Sequence, residues 1–352
     1  MYGKAIEVFV NISAVCRVHI EINAVIYIQQ KKKGRMYMSK RYVMPIDRGR
    51  ALLDFARPAD YAAVCEYIEI MAERYSFLSV TSIGETLLGK KIHMLTLGDA
   101  GAEKSVLYVG AHHGMEWITT LILLRFVNEY CEYYKAAKQV FGVNIRSMFA
   151  EREICVVPQL NADGADIQIN GAGRDNPMFD RLMKMSGGDF SRWQANARGV
   201  DLNHNYDAGF EEYKKLEEKE GILPGATRWS GEYPESEPET GALANYIRFN
   251  EKISMIITLH SQGEEIYYTS GGHVPEGAGQ LAAKFAKLSG YTVSVPEGLA
   301  AYGGLTDWYI KEFDRPSFTV ECGKGENPIR ESKYFPIYAA IREMLFCAPM
   351  MI

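Results

Sequence analysis

Short apolar runs alternate along this chain with longer segments in which apolar residues recur at helical spacing. The short runs predict strands near 91–97, 105–110, 153–158, 253–259, 265–269 and 317–322. The longer segments predict a helix capped by Asp60 and others near 117–134, 238–250, 276–289, 305–313 and 334–347. This alternation predicts an α/β fold, with three α/β/α layers around a central mixed, mostly parallel twisted sheet. The polar, glycine-rich stretches 171–198 and 207–236 are expected to be long loops around a functional site.

Side chains that can bind a metal follow three of the predicted strands. His113 and Glu116 lie in the turn after one strand, and His260 and Glu321 lie at the ends of two others. Ligands of open α/β sheets bind outside the carboxyl ends of the strands. We therefore expect these four side chains to lie close together.

Two imidazoles and one carboxylate form the protein ligand set of a catalytic zinc ion, whose fourth position stays open for water. His113 and Glu116 are spaced so that one turn brings both side chains to the same side, whereas His112 would point elsewhere and is expected to support a ligand. Taken singly, a His-x-x-Glu pair often arises by chance, and His260 could be a hydrogen-bonded core histidine. Glu321 ends an apolar run, where an unpaired charge is costly. Together, the four residues predict a zinc site with a further carboxylate beside it.

Eight short motifs extend this argument along the chain. They are Ser-Ile-Gly-Glu-Thr-Leu-Leu-Gly-Lys-Lys-Ile (82–92), His-Gly-Met-Glu-Trp (113–117), Gln-Leu-Asn-Ala-Asp-Gly (159–164), Gly-Val-Asp-Leu-Asn-His-Asn-Tyr (199–206), Ser-Glu-Pro-Glu-Thr (236–240), Leu-His-Ser (259–261), Gly-Gly-Leu-Thr-Asp-Trp (303–308) and Thr-Val-Glu (319–321). In all of them the chain resembles the zinc metallocarboxypeptidases of the carboxypeptidase A-like family. By this resemblance His113, Glu116 and His260 hold one zinc ion per chain, and Glu321 is the general base that takes a proton from the attacking water.

The chain departs from the family pattern at the residues that bind the end of the substrate. Conventional members use an Asn-Arg pair for the terminal α-carboxylate, and this chain has Asn203-His204. A guanidinium donates two parallel hydrogen bonds to a carboxylate, whereas an imidazole offers one directed donor. We therefore expect an altered clamp, although the change could also be neutral in an ordinary carboxypeptidase.

Two further positions differ from the family. Gln194 aligns with the arginine that steadies the oxyanion, and Arg192 and Arg198 flank it, either as replacements for that charge or as ordinary surface residues. Tyr302 is the candidate for the tyrosine that closes over the substrate, although the family position aligns with Leu299. The candidate substrate-binding residues are accordingly Asn203, His204, Gln194, Arg192, Arg198 and Tyr302.

Two stretches point to a subgroup. Residues 192–209 and 260–268 are similar to those of the bacterial γ-D-glutamyl-L-diamino acid peptidases, which cut between D-glutamate and diaminopimelate or lysine in cell-wall peptides. This resemblance implies a peptidase whose partner is a muropeptide. Two alternatives stay open. One is a zinc carboxypeptidase of ordinary C-terminal specificity. Thr306, aligned at the base of the side-chain pocket, does not indicate whether such an enzyme would bind an acidic or an apolar C-terminal residue. The other is a non-catalytic peptide-binding relic, against which the intact ligands and base argue.

Composition limits other functions. The net charge of −5 gives no basic patch for nucleic acid, and the six cysteines are scattered without a Cys-x-x-Cys pair, as is typical of reduced thiols in a cytosol. Cys322 beside Glu321 is expected to pack in a strand and not to act as a nucleophile. Charged residues interrupt the apolar run from Val8 to Ile28, so neither a signal peptide nor a membrane span is predicted, and a cytoplasmic location is expected. The oligomeric state is left open.

The chain is expected to have two parts, an N-terminal extension of uncertain structure at 1–50 and a zinc carboxypeptidase-like catalytic domain at 51–352. Gln29–Arg35 is basic and linker-like, but the segment could also pair as a hairpin. Met36 or Met38 could be the true start of the protein.

Overall fold

The structure, a computed structural model, describes residues 57–296 and 298–352, together with the backbone of two earlier strands. These strands, β1 (Ile22–Lys32) and β2 (Arg35–Ile46), pair antiparallel, which is the hairpin that the sequence left open as an alternative to a linker. The contacts divide the chain into two units, Met1–Asp54 and Phe55–Ile352, and the hairpin belongs to the first. The apolar run from Val8 to Ile28 was expected to be neither a signal peptide nor a membrane span. Its residues up to 21 lie outside those that the structure describes.

The second unit holds the other helices and strands of the described chain. Its strands are β3 (Ser79–Glu85), β4 (Lys91–Leu97), β5 (Lys104–Gly110), β6 (Gln139–Val140), β7 (Val143–Asn144), β8 (Arg152–Val157), β9 (Ile253–His260), β10 (Glu265–Tyr267), β11 (Thr292–Val293) and β12 (Ser317–Glu321). Its α-helices are α1 (Tyr61–Arg74), α2 (Ile118–Lys135), α3 (Ile145–Glu151), α4 (Ala162–Asn170), α5 (Phe179–Ser186), α6 (Phe210–Glu220), α7 (Pro238–Arg248), α8 (Ala278–Ser289), α9 (Leu305–Phe313) and α10 (Tyr334–Cys347). Short 3₁₀ turns lie at Gly114–Glu116, Leu202–His204, Gly298–Ala301, Glu331–Lys333 and Ala348–Met351.

Eight strands of the second unit's described residues form one sheet, in the order β11-β10-β12-β9-β5-β8-β4-β3. The central strands β12, β9, β5 and β8 are parallel to one another. Antiparallel pairs lie on both sides of this centre, β10 with β12 on one side and β4 with β8 and β3 on the other. The sheet is therefore mixed and mostly parallel, which confirms the predicted class.

Side chains of the central strands alternate between the two faces of the sheet. On one face, Leu107 and Val109 of β5 share a core with Leu243 of α7 and Trp308 of α9. On the other face, the hydroxyl of Tyr108 donates a 2.8 Å hydrogen bond to the carbonyl oxygen of Leu345 in α10. Helices therefore cover both faces, as the three-layer prediction requires.

The strongly patterned elements were predicted at nearly their observed positions. Asp60 caps α1 as expected, because its Oδ1 accepts a 2.9 Å hydrogen bond from the backbone N–H of Ala63. Strand β5 is buried from Ser105 to Gly110, which explains its unbroken apolar sequence. Helix α2 begins directly after the turn that carries His113, so this strand–turn–helix unit positions the first candidate ligand.

The two long stretches expected to be loops contain helices, and that part of the prediction was wrong. Helix α5 lies within 171–198 and buries only Leu182. Helix α6 lies within 207–236 and buries only Phe210, Tyr213 and Glu217 of a highly charged sequence. Helix α5 has only 8 residues and α6 consists mostly of charged residues, so neither carries the long apolar pattern that marks a helix such as α2. Strand β3, helices α3 and α4 and the two-residue strands β6, β7 and β11 were not predicted either.

Candidate active site

Three neighbouring strand ends carry the residues of the candidate site. Strand β5 ends at Gly110, shortly before His113, while β9 ends at His260 and β12 ends at Glu321. Gly110 is the register partner of Leu259, and Glu321 is the register partner of His260. The parallel pairing therefore places the three strand ends side by side at one edge of the sheet.

His113, Glu116 and His260 form a buried cluster. The carboxylate of Glu116 lies between the rings, with Oε1 3.0 Å from His113 Nδ1 and Oε2 3.2 Å from His260 Nδ1. The two Nδ1 atoms are 3.3 Å apart, and the three candidate ligand atoms lie within 4.8 Å of one another. Within residues 57–296 and 298–352, this is the only group of three or more His, Cys, Asp or Glu side chains that could hold a metal ion, and His112 is not part of it.

Hydrogen bonds hold the Glu116 carboxylate from its other sides. Oε2 accepts from the backbone N–H of Ser261 at 3.2 Å, and Oε1 accepts from Asn327 Nδ2 at 3.3 Å. Burial alone would raise the pKa of Glu116, but the facing His113 and His260 outweigh it and keep that pKa below its usual range. An ionised carboxylate and two imidazoles, buried and converging, fit the ligand set of a catalytic zinc ion.

Asp201, whose role was not predicted from the sequence, holds His113 in place. Its Oδ1 lies 3.2 Å from His113 Nε2, the ring nitrogen that faces away from the cluster. Its Oδ2 accepts from Gln194 Nε2 at 2.9 Å and from the backbone N–H of Arg228 at 3.0 Å. A carboxylate behind a ligand histidine fixes the ring and keeps its proton on the outward nitrogen. Nδ1 of His113 is then free to bind a metal ion.

The charge of Asp201 is maintained although its side chain is fully buried. Burial would raise the pKa of this carboxyl, but its interactions with His113, and then with His204 and the backbone N–H of Arg228, outweigh burial and lower the pKa below its usual range. The sequence did contain a signal, since Asp201 stands between Val200 and Leu202. An unpaired carboxylate in an apolar run is the same pattern that singled out Glu321.

Glu321 lies beside the cluster, between its register partners Glu265 of β10 and His260 of β9. Its side chain remains partly exposed. Burial first, and then the charge of Glu116, raise the pKa of Glu321 well above its usual range. A carboxyl with a raised pKa takes up a proton more readily than an exposed one, as a general base must, and a cation bound in the cluster would oppose the rise.

Comparison with known proteins gives the family. The sequence model described as zinc carboxypeptidase matches residues 64–344. The chain belongs to the zinc carboxypeptidase family. It is therefore a zinc metallopeptidase, and the cluster of His113, Glu116 and His260 is its candidate zinc site.

Two relatives and one solved structure illustrate the range of similarity. The chain is 31% identical over 332 residues to the uncharacterized protein YqgT of Bacillus subtilis, covering 92% of this chain and 87% of that protein. It is 30% identical over 282 residues to gamma-D-glutamyl-L-diamino acid endopeptidase 1 of Lysinibacillus sphaericus, covering 79% of this chain and 69% of that protein. The crystal structure of thrombin activatable fibrinolysis inhibitor shares the fold, with a TM-score of 0.65 and 22% identity over 87% of this chain and 77% of that one.

The residues expected to steady the oxyanion already have other partners or are exposed. Gln194 donates a hydrogen bond from Nε2 to Asp201, so it supports the carboxylate behind the ligand His113. Arg198 donates from Nε to Glu237 at 3.1 Å. Arg192 is exposed, and its Nη1 lies 4.0 Å from Glu326 Oε2. The described contacts therefore place Gln194 in the support of the metal site.

The three remaining substrate-side candidates lie together next to α9. Asn203 Oδ1 accepts from the backbone N–H of Leu305 at 3.2 Å. His204 Nδ1 lies 2.8 Å from the carbonyl oxygen of Tyr302, and the His204 ring stacks on Tyr213 of α6 at a centroid distance of 4.2 Å. His204 is thus fixed by its backbone contact and by a helix that the sequence did not predict.

The cysteines of the described residues are free thiols. Cys322 is buried and donates to the carbonyl oxygen of Val320 at 3.5 Å, and burial raises the pKa of its thiol well above the usual value. A buried, protonated thiol is consistent with strand packing. No helix in the described part of this family member is long and apolar enough to span a bilayer.

Proposed function

We propose that this zinc peptidase hydrolyses the bond between γ-D-glutamate and a diamino acid, diaminopimelate or lysine, in cell-wall peptides, with one zinc ion per chain. The relative named gamma-D-glutamyl-L-diamino acid endopeptidase 1 supports this substrate class. The observation that carries the proposal is the environment of His204. This residue stands where conventional family members have the arginine that binds the terminal α-carboxylate.

The contacts of His204 make it a poor substitute for that arginine. Nδ1 faces the carbonyl oxygen of Tyr302, so Nδ1 carries a proton and donates it. Only Nε2 remains for the substrate, and in the neutral ring this atom accepts a hydrogen bond. Burial lowers the pKa of His204 although Asp201 opposes the effect, which favours the neutral ring. A neutral acceptor suits a substrate that does not place an ordinary terminal carboxylate at this point.

The base of the expected side-chain pocket also favours a polar substrate. Thr306 Oγ1 accepts hydrogen bonds from Ser317 Oγ at 3.2 Å and from Thr319 Oγ1 at 2.9 Å. A cluster of hydroxyls matches the polar side chain of a diamino acid better than a large apolar side chain, which cannot use their hydrogen-bonding capacity. The family match at 64–344 further supports the assignment of 51–352 as the catalytic domain.

Each site residue then has a role in hydrolysis. His113, Glu116 and His260 would hold the zinc ion. When bound, zinc would polarise the scissile carbonyl and lower the pKa of a water molecule toward ~7. Glu321 accepts one proton as the water oxygen adds to the carbonyl carbon. The carbon–nitrogen bond then breaks, and Glu321 returns the proton to the leaving amine, so that the carboxyl ends in its starting state.

A comparison of two substrates tests the proposal. Zinc-loaded protein is incubated with L-Ala-γ-D-Glu-meso-diaminopimelate and with a ladder of ordinary α-linked peptides, and the products are read by mass spectrometry. Release of diaminopimelate with the ladder intact is the expected result. Stepwise trimming of the ladder with the γ-linked peptide intact would replace the proposal by a carboxypeptidase of ordinary specificity. Glu321→Gln protein controls for contaminating peptidases.

A further inference from the structure

A chain of buried polar side chains extends from the back of His260, away from the metal cluster. His260 Nε2 lies 3.3 Å from Thr258 Oγ1, and the same hydroxyl lies 3.3 Å from His112 Nδ1. His112 Nε2 in turn lies 3.1 Å from the hydroxyl of Tyr206. All four side chains are at most 1% exposed, so bulk water does not compete for these contacts.

The direction of each hydrogen bond in this chain follows from the metal site. Nδ1 of His260 faces Glu116 and must be unprotonated to bind a metal ion. Its Nε2 therefore carries the proton and donates to Thr258. The threonine hydroxyl has one proton of its own, and the remaining acceptor within reach is His112 Nδ1. His112 then carries its proton on Nε2 and donates to Tyr206.

The two ligand histidines are thus supported in different ways. His113 is backed by the ionised carboxylate of Asp201, which can only accept a hydrogen bond from the ring N–H, whichever oxygen faces it. His260 is backed by a hydroxyl, which can rotate and present either its proton or its lone pairs. A hydroxyl that turned its proton toward His260 would favour the wrong tautomer, with the proton on Nδ1. His112 prevents this rotation because its Nδ1 accepts a hydrogen bond from the hydroxyl on the side opposite His260.

We propose that Thr258 and His112 are positioning residues that fix the metal-binding tautomer of His260, and thereby set the affinity of the site for zinc. The inference rests on the zinc site of the proposed function but not on its substrate. It also explains the orientation of His112, which competes with His113 in the sequence but has both ring nitrogens engaged away from the cluster.

Zinc affinity in matched variants tests this inference. Thr258→Val keeps the shape of the side chain and removes the hydroxyl, whereas Thr258→Ser keeps the hydroxyl. The zinc dissociation constant is measured by competition with a chromogenic chelator. We expect Thr258→Val to weaken zinc binding by about 10- to 100-fold, the usual effect of losing a partner of a ligand histidine, and Thr258→Ser to stay within a few-fold of wild type. Equal affinities of the valine and serine variants would overturn the proposal.

A double-variant cycle tests whether His112 acts through Thr258. His112→Leu should weaken zinc binding in the wild-type background but have little further effect in Thr258→Val, because the hydroxyl it orients is gone. Fully additive effects would show that His112 does not act through this hydroxyl. The visible absorption of the cobalt-substituted proteins gives a second readout, because it reports the ligand geometry directly.

Two further measurements distinguish this inference from an effect on folding and from the substrate assignment. Thermal unfolding of the metal-free variants shows whether a lost hydroxyl acts only on stability; a lower melting temperature with unchanged zinc affinity would contradict the proposal. Wild-type protein that binds no zinc would overturn both this inference and the proposed function. Wild-type protein that binds zinc but leaves the γ-linked peptide intact would contradict the substrate assignment alone.

Discussion

His260 and Glu321 are register partners on the adjacent parallel strands β9 and β12. Cys322, the residue after Glu321, donates its backbone N–H to the carbonyl oxygen of His260 at 2.7 Å. The candidate ligand and the candidate base are therefore spaced by the hydrogen-bond ladder of the sheet. A ladder at the centre of a buried sheet is rigid, so either side chain can be changed without displacing the backbone of the other.

Glu321→Gln is expected to lower kcat by about 10²- to 10⁴-fold, because the glutamine cannot accept the proton of the attacking water. Zinc content should stay at the wild-type level, since Glu321 is outside the cluster of three ligands. Metal analysis and steady-state kinetics on the same preparation check both. A variant that retained wild-type kcat would remove Glu321 from the mechanism. His260→Ala is the matched comparison, and it should lose zinc and activity together.

Asp201→Asn is expected to weaken zinc binding by about 10- to 100-fold. Its amide would present an N–H to His113 Nε2 and so favour the ring tautomer with a proton on Nδ1, the atom that faces the cluster. Chelator competition measures the affinity. Asp207→Asn, on an exposed side chain nearby, is the control and should bind zinc like wild type. Wild-type affinity in Asp201→Asn would show that the carboxylate does not control the ligand.

His204→Arg is expected to raise the kcat/KM for α-linked C-terminal peptides relative to the γ-linked substrate by about tenfold or more. The guanidinium can bind a terminal carboxylate with two hydrogen bonds, which are worth more than one neutral contact. His204→Asn is the control, because its amide can still donate to the Tyr302 carbonyl without adding a charge. If arginine and asparagine shift the ratio equally, the charge at this position does not decide specificity.

Gly114→Ala is expected to reduce the free energy of unfolding by about 1–3 kcal/mol and to weaken zinc binding. A Cβ at Gly114 would lie 2.4 Å from the backbone of Gly164 in α4, and the turn that would have to move carries both His113 and Glu116. Gly241→Ala in α7 is the control. Its Cβ would meet its nearest atom at 3.6 Å, so this variant should gain about 0.5–1 kcal/mol from helix propensity. Urea unfolding distinguishes the two.

Glu239→Gln is expected to change how stability depends on pH. Glu239 is fully buried, and burial, followed by the charge of Asp163, raises its pKa from 4.5 to about 8. Between those values the folded protein keeps a proton that the unfolded chain releases. Stability therefore falls as pH rises, by at most about 1.4 kcal/mol per pH unit for this group.

Urea midpoints of metal-free protein at about pH 5 and about pH 8 check this expectation. Wild type should lose stability relative to Glu239→Gln between the two conditions, and the variant should be the more stable protein at the higher pH. Glu218→Gln, an exposed position in α6, should behave like wild type. Parallel pH profiles for wild type and Glu239→Gln would show that this carboxyl is not protonated in the folded state.

The strands and helices with strong local apolar patterns could be predicted from the sequence. Strands such as β5 and helices such as α2 carry a long apolar signal, and parallel strand ends must meet at one edge of a sheet, so His113, Glu116, His260 and Glu321 could be expected to lie together. Helix α6 has mostly charged residues, so only tertiary contacts of residues such as Tyr213 reveal it.

The supporting residues of the site were harder to predict than its ligands. Asp201 is held by Gln194 and by the backbone N–H of Arg228, contacts that follow no helical or strand periodicity. Gln194 was expected to contact the substrate because family alignment gives a position but not the direction of a side chain. Thr258 and Tyr206 have no sequence signal, because a hydroxyl in a strand or a core tyrosine is common without such a role.

The carboxylate of Asp201 couples zinc retention to substrate specificity, two properties that protein engineers would prefer to vary separately. One oxygen supports the ligand His113, while the other ties down Gln194 and the backbone at Arg228, in the same region of the chain as the proposed specificity residue His204. A library designed to give this enzyme new substrates by rebuilding residues 194–228 would therefore also vary its retention of zinc. Inactive members of such a library should be assayed for metal first, because many would be recoverable catalysts that have merely lost their ion.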